Sequence, residues 1–120
     1  MRRWITAPVL ALAVVATACG GAERSGDVHA GTAGPDAVRL TLHDDEFAPA
    51  TLKLPAGEEV TVEITNEGSN AHNFTVDRLD LSTGTMTSGD VMTATFTAPN
   101  GTTGFHCTFH PGMTGTIVAT

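Results

Sequence analysis

The sequence predicts an all-β fold, a two-sheet antiparallel β-sandwich, and three observations predict it. Apolar residues recur at every second position over short runs, Gly, Pro and Asn turns divide those runs at sandwich-like intervals, and no helical period follows the N-terminal leader. The pattern accommodates about seven strands.

The leader comes first. Met1-Arg2-Arg3 is a charged start, and Trp4 to Val15 is an apolar run too short to serve as a membrane-spanning helix. Ala16-Thr17-Ala18 then supplies small residues at a cleavage position, so residues 1–18 read as a signal peptide cut before Cys19. Cys19 followed by Gly20-Gly21 resembles a bacterial lipoprotein box, which implies lipidation of Cys19. The alternative is ordinary secretion of a soluble protein with a free N-terminal thiol. Residues 19–37 are rich in Gly, Ala and Ser without a hydrophobic period, as in a flexible tether, and His29 reads as a solvated residue within it. The domain proper is expected over residues 38–120.

Within that domain Val38, Leu40 and Leu42 share one face of the first strand, and His43-Asp44-Asp45-Glu46 collects potential ligands for a hard metal, a cluster that a polar turn leaving the strand explains equally well. Leu52 and Leu54 mark the next strand, Pro55-Ala56-Gly57 a turn, and Val60, Val62 and Ile64 a third strand ending at Asn66-Glu67-Gly68-Ser69-Asn70. Continued alternation puts His72, Phe74 and Val76 on one face, so His72 points inward with a core phenylalanine. Residues 79–90 show no firm period; Met86 and Met92 read as core filler. Met92, Ala94, Phe96 and Ala98 alternate with threonines, Pro99-Asn100-Gly101 turns the chain, Phe105 and Cys107 face inward with His106 outward, and residues 117–120 close the last strand.

The chemistry concentrates in Cys107-Thr108-Phe109-His110-Pro111-Gly112-Met113, a thiol, an imidazole and a thioether spaced Cys-x-x-His-x-x-Met. Soft thiolate and thioether donors beside an imidazole suit copper cycling between Cu(I) and Cu(II), whereas a hard cation would want carboxylates. The inward His72 is the candidate fourth ligand, and two His, one Cys and a weak axial Met form an electron-transfer set. Zinc would also accept Cys and His, but an axial Met is an odd ligand for it.

His72-Asn73-Phe74 followed by Cys107-Thr108-Phe109-His110-Pro111-Gly112-Met113 resembles the cupredoxins, the blue type 1 copper proteins, in the plastocyanin and amicyanin style. The resemblance runs from about Val38 to the C-terminus. It implies a Greek-key sandwich, one copper ion on His72, Cys107, His110 and Met113, a hydrogen bond between Asn73 and Thr108 joining the two ligand segments, and electron exit through a partly exposed His110.

Composition excludes other classes. Acidic residues outnumber Lys and Arg by 13 to 6, and two of those six are in the leader, so nucleic acid is not an expected partner. Cys19 and Cys107 each have an individual explanation and are not expected to pair. A copper enzyme of this type needs a second, multi-histidine site, for which only His29, His43 and His106 remain, so no enzymatic activity is expected. The expected function is an extracytoplasmic electron-transfer protein. It would be a monomer held by a lipid anchor at the outer face of the cell membrane, exchanging electrons with redox proteins there that dock through a basic patch. The alternative is copper delivery or homeostasis, although no exposed Met- or His-rich run is present.

Overall fold

The computed structural model describes residues 26–120; Cys19 and the expected leader lie outside the described residues. Among the described residues, ten strands form two five-stranded sheets. The first sheet contains β1 (Gly26–Ala30), β2 (Val38–Leu42), β3 (Phe47–Ala48), β5 (Glu59–Asn66) and β8 (Val91–Thr97), in the spatial order β1-β8-β5-β2-β3. The second contains β4 (Thr51–Leu54), β6 (Thr75–Val76), β7 (Leu81–Ser82), β9 (Gly101–His106) and β10 (Thr114–Ala119), in the order β4-β10-β9-β6-β7. A single 3₁₀ turn, Asp77–Leu79, is the one helical element among the described residues.

The chain passes repeatedly from one sheet to the other, in a Greek-key sandwich. Most neighbours are antiparallel, but β2–β5 and β4–β10 are parallel, because β2 and β4 reach their partners by crossing between sheets rather than through a hairpin. The register of β2 on β5 runs from Val38 opposite Val62 to Leu42 opposite Asn66. Inward residues of both sheets fill the core as the alternation predicts: Leu40, Leu42, Leu52, Leu54, Val62, Ile64, Phe74, Val76, Ala94, Phe96 and Ile117 are buried. Met86 belongs to the core, held by an isolated bridge to His72, while Met92 packs at its margin.

One expected boundary is corrected. Gly26–Ala30, assigned by composition to the tether, is a strand paired with β8 from Gly26 opposite Phe96 to Ala30 opposite Met92. An edge strand is held by backbone hydrogen bonds, and with only Val28 turned toward the core this one carries no apolar alternation to reveal it. The connector to β2 is fastened as well. The Ala33 N–H donates to Glu63 Oε2 at 2.8 Å, the Thr93 hydroxyl donates to Gly31 O at 2.8 Å, and Arg39 pairs with the other oxygen of Glu63. The folded unit therefore includes residues 26–37. His29 is exposed on this strand.

Three phenylalanines close the core at one end. Phe105 meets Phe47 edge-on at 4.9 Å between ring centroids and Phe74 at 5.1 Å, arrangements that add to plain burial. Phe105 finds room because its cross-strand partner is Gly115; a Cβ there would overlap the Phe105 ring and stand 2.7 Å from the Ala50 carbonyl oxygen. Gly115→Ala is therefore expected to destabilise the fold by about 1–3 kcal/mol through overpacking. Gly104→Ala, whose Cβ would meet nothing nearer than 4.0 Å, serves as the neutral control in urea denaturation of the two variants.

Candidate metal centre

The end of the sandwich above these phenylalanines gathers the predicted donors. Phe74 lies two residues after His72, just ahead of β6, and Phe105 two before Cys107, which follows the end of β9; all four side chains are buried. His72 is fully buried, and Cys107 and Met113 are each 2% exposed. His110 is half-buried. Cys107 is a free thiol.

The seven residues between β9 and β10 form a closed loop. The Cys107 N–H donates to Met113 O and the Met113 N–H to His110 O, both at 3.0 Å, and Gly112 adopts φ +94°, a left-handed conformation that favours glycine. The loop thus holds Cys107, His110 and Met113 on one small ring of backbone. His72 arrives from the other segment.

His72 Nδ1 lies 3.1 Å from His110 Nδ1, and Cys107 Sγ lies 3.9 Å from the first and 3.6 Å from the second. Among the described residues these three offer ligand atoms that all fall within 4.8 Å of one another. Metal bonds of about 2.0–2.1 Å to imidazole and about 2.3 Å to thiolate place donors roughly 3–4 Å apart around one ion. The observed triangle has that size. Two imidazoles and a thiolate, with the buried thioether of Met113 at the end of the loop, are the donor set of a type 1 copper centre.

The two ligand segments are joined by the bridge the family resemblance implies. Asn73 Nδ2 donates to Thr108 Oγ1 at 2.6 Å, and the Thr108 N–H donates back to Asn73 Oδ1 at 3.0 Å. The Thr75 hydroxyl donates to the same Asn73 oxygen at 2.9 Å. His106 faces outward as the period predicts, with Nε2 2.9 Å from Asp77 Oδ2.

Two further residues shape the site and were not singled out as such from sequence. Asn66, buried at the end of β5, donates to the carbonyls of Asn70 and Met86 at 2.9 Å and accepts from the Gly68 N–H at 3.0 Å, fixing the loop that leads to His72. Asp44 belongs to the polar turn after β2, yet its Oδ1 lies 3.1 Å from His72 Nε2. The Asn70 backbone N–H foremost, then the His72 ring and the Ser69 N–H, lower the Asp44 carboxyl from 3.8 to about 2. A depressed carboxylate contributes fully above its unfolded value and is lost only as the pH falls toward about 2, so Asp44 is charged throughout the neutral range. The parallel register, Leu42 beside Asn66, brings Asp44 level with Gly68, and that pairing is the one signal that could have pointed to it.

Comparison with known proteins agrees with this fold. The sequence profile of the cupredoxin-like domain matches residues 8–119. This chain belongs to the cupredoxin-like family. Among solved structures, the cupredoxin is similar to a reduced amicyanin variant, with 22% identity, a TM-score of 0.66, and coverage of 80% of this chain and 99% of that one. A Cu(I) form of another amicyanin variant matches with 23% identity, a TM-score of 0.63, and coverage of 78% and 98%. Dithionite-reduced auracyanin from the photosynthetic bacterium Roseiflexus castenholzii matches with 21% identity, a TM-score of 0.62, and coverage of 70% and 96%. Comparison with curated protein sequences finds no match.

The adjacent histidines separate the donors from their neighbours. With Cu(II) added to the purified protein, His106→Ala is expected to keep the intense thiolate-to-copper visible band. His72→Ala and Cys107→Ser are expected to abolish it. Absorption spectra of the three variants check the strand register and the ligand assignment together.

Proposed function

We propose that this cupredoxin is a one-electron carrier working outside the cytoplasm, with one copper ion bound by His72, Cys107, His110 and Met113. The observation that carries this reading is the contrast in exposure at the site, where three donors are buried and His110 alone is half-open. Copper, when bound, supplies the Cu(II)/Cu(I) couple.

The protein's own residues do the rest. His72, Cys107 and Met113 exclude water, and the closed loop and the Asn73–Thr108 bridge keep their positions fixed, so the donors need little rearrangement between redox states. The imidazole edge of His110 is the route by which an electron reaches the surface. Around it stand Pro111, Gly112 and Phe109, the last 48% exposed and the one exposed large hydrophobic side chain among the described residues. Such an apolar rim suits brief contact with a partner protein. Exposed Asp44, Asp45, Glu46 and Glu67 lie on the neighbouring turns, since the Glu67 N–H bonds to Leu42 O, and they favour a partner with a basic docking patch. The motif at Cys19 supports a lipid anchor that would keep the carrier at the outer face of the membrane and raise the local concentration of redox partners there. Buried donors also argue against a role in copper delivery, and the same features give no reason to expect an enzyme.

Stopped-flow reduction and metal retention test the reading on one sample. Fast, reversible bleaching with copper kept through repeated cycles is expected. Rapid loss of Cu(I) to a chelator, with sluggish electron exchange, would instead indicate copper handling. Phe109→Glu, which puts a charge on the apolar rim, is expected to slow bimolecular electron exchange by about tenfold while leaving the visible band in place.

A further inference from the structure

Asp44 has no part in the ligand set, yet three separate features converge on it. It comes from the turn after β2, 28 residues from His72, and its Oδ1 accepts the Nε2–H of that ring at 3.1 Å. A carboxylate at neutral pH can only accept, so the proton of His72 sits on Nε2 and the lone pair on Nδ1 faces Cys107 and His110. The same oxygen accepts the Asn70 backbone N–H at 3.0 Å, a second bond that holds the carboxylate against the ring.

The third feature is the residue that makes room. Gly68 is buried and its backbone is not in the left-handed region, so its φ angle does not require glycine. A Cβ at this position, however, would overlap Asp44 Oδ1, stand 3.0 Å from His72 Nε2 and lie 3.2 Å from Asn66 Oδ1. The empty volume at residue 68 is what lets carboxylate and imidazole meet.

We propose that Asp44, admitted by Gly68, is a positioning residue that fixes the His72 tautomer and, by its negative charge, makes that imidazole a stronger donor, lowering the reduction potential of the centre. A neutral acceptor at this place would fix the ring equally well. The charge adds electron density to the ring, which favours the more highly charged oxidation state of the metal. The effect on the potential rests on the copper reading above; the effect on the tautomer does not.

Three variants separate the contributions. Asp44→Asn keeps an acceptor oxygen and removes the charge, Asp44→Ala removes both, and Gly68→Ala keeps the charge but displaces it from the ring. In metal-free protein at mildly alkaline pH, ¹⁵N NMR of the His72 ring is expected to show Nε2 protonated and Nδ1 bare, and Asp44→Ala is expected to populate both tautomers. In the copper-loaded protein, Asp44→Asn is expected to weaken Cu(II) binding relative to Cu(I) by about tenfold. For a one-electron couple that fold-change raises the potential by about 59 mV. Gly68→Ala is expected to move the potential in the same direction with the visible band retained, although the net charge is unaltered. An unchanged tautomer in Asp44→Ala, or an unchanged potential in Asp44→Asn, overturns the proposal. A parent protein that holds no copper would defeat the electron-carrier reading instead, and the metal-free NMR comparison would still decide whether Asp44 sets the ring.

Discussion

The site depends on one pair of hydrogen bonds joining chain segments 35 residues apart. Asn73 and Thr108 each stand one residue beyond a donor, His72 and Cys107, so fixing the bridge fixes the separation of imidazole and thiolate. Asn73 uses both ends of its amide, donating through Nδ2 and accepting twice through Oδ1. That matters because the contacts among the donors themselves are few, an imidazole pair at 3.1 Å and two longer approaches to the sulfur, while a buried polar group without a partner would weaken the fold. The bridge places the adhesive beside the donors rather than between them.

The sandwich beneath supplies the stiffness. Phe47, Phe74 and Phe105 fill the space directly below the ligand segments, and Phe105 lies across Gly115 on the neighbouring strand. A shift of the loop would have to move a close-packed ring, and interiors at crystal-like density resist that. Above this floor the 107–113 loop has little freedom of its own, since its backbone bonds return to Cys107 and His110. Rigidity at the centre is thus inherited from packing and from main-chain closure, and of the four donors the same arrangement leaves only His110 near solvent.

How much of this was legible in the sequence follows from how local each feature is. Cys107, His110 and Met113 declare themselves by spacing within seven residues, and His72 by its place in a period-two run with Phe74 and Val76. The outward turn of His106 follows from the same period. The bridge of Asn73 to Thr108 was accessible only through family resemblance, because nothing within either segment says which strands lie side by side. Asp44 was less accessible still. Its role requires knowing that β2 runs parallel to β5 with Leu42 beside Asn66, a pairing that no pattern within either strand specifies. The two-residue strands β3, β6 and β7 are too short to carry a period, and β1 escaped because its residues are mostly outside the core.

That first strand bears on solubility. β8 is seven residues long, Val-Met-Thr-Ala-Thr-Phe-Thr, without a charge, a proline or a glycine. A strand of that composition at a sheet margin offers unpaired amides and carbonyls to any similar strand of another molecule, the geometry from which intermolecular β-stacking starts. β1 caps this row and presents in its place a short strand bearing Asp27 and mostly exposed side chains. Trimming the chain at residue 38, where the hydrophobic alternation begins, would spare every donor at the metal centre and leave the longest uncharged strand of the first sheet open to self-association.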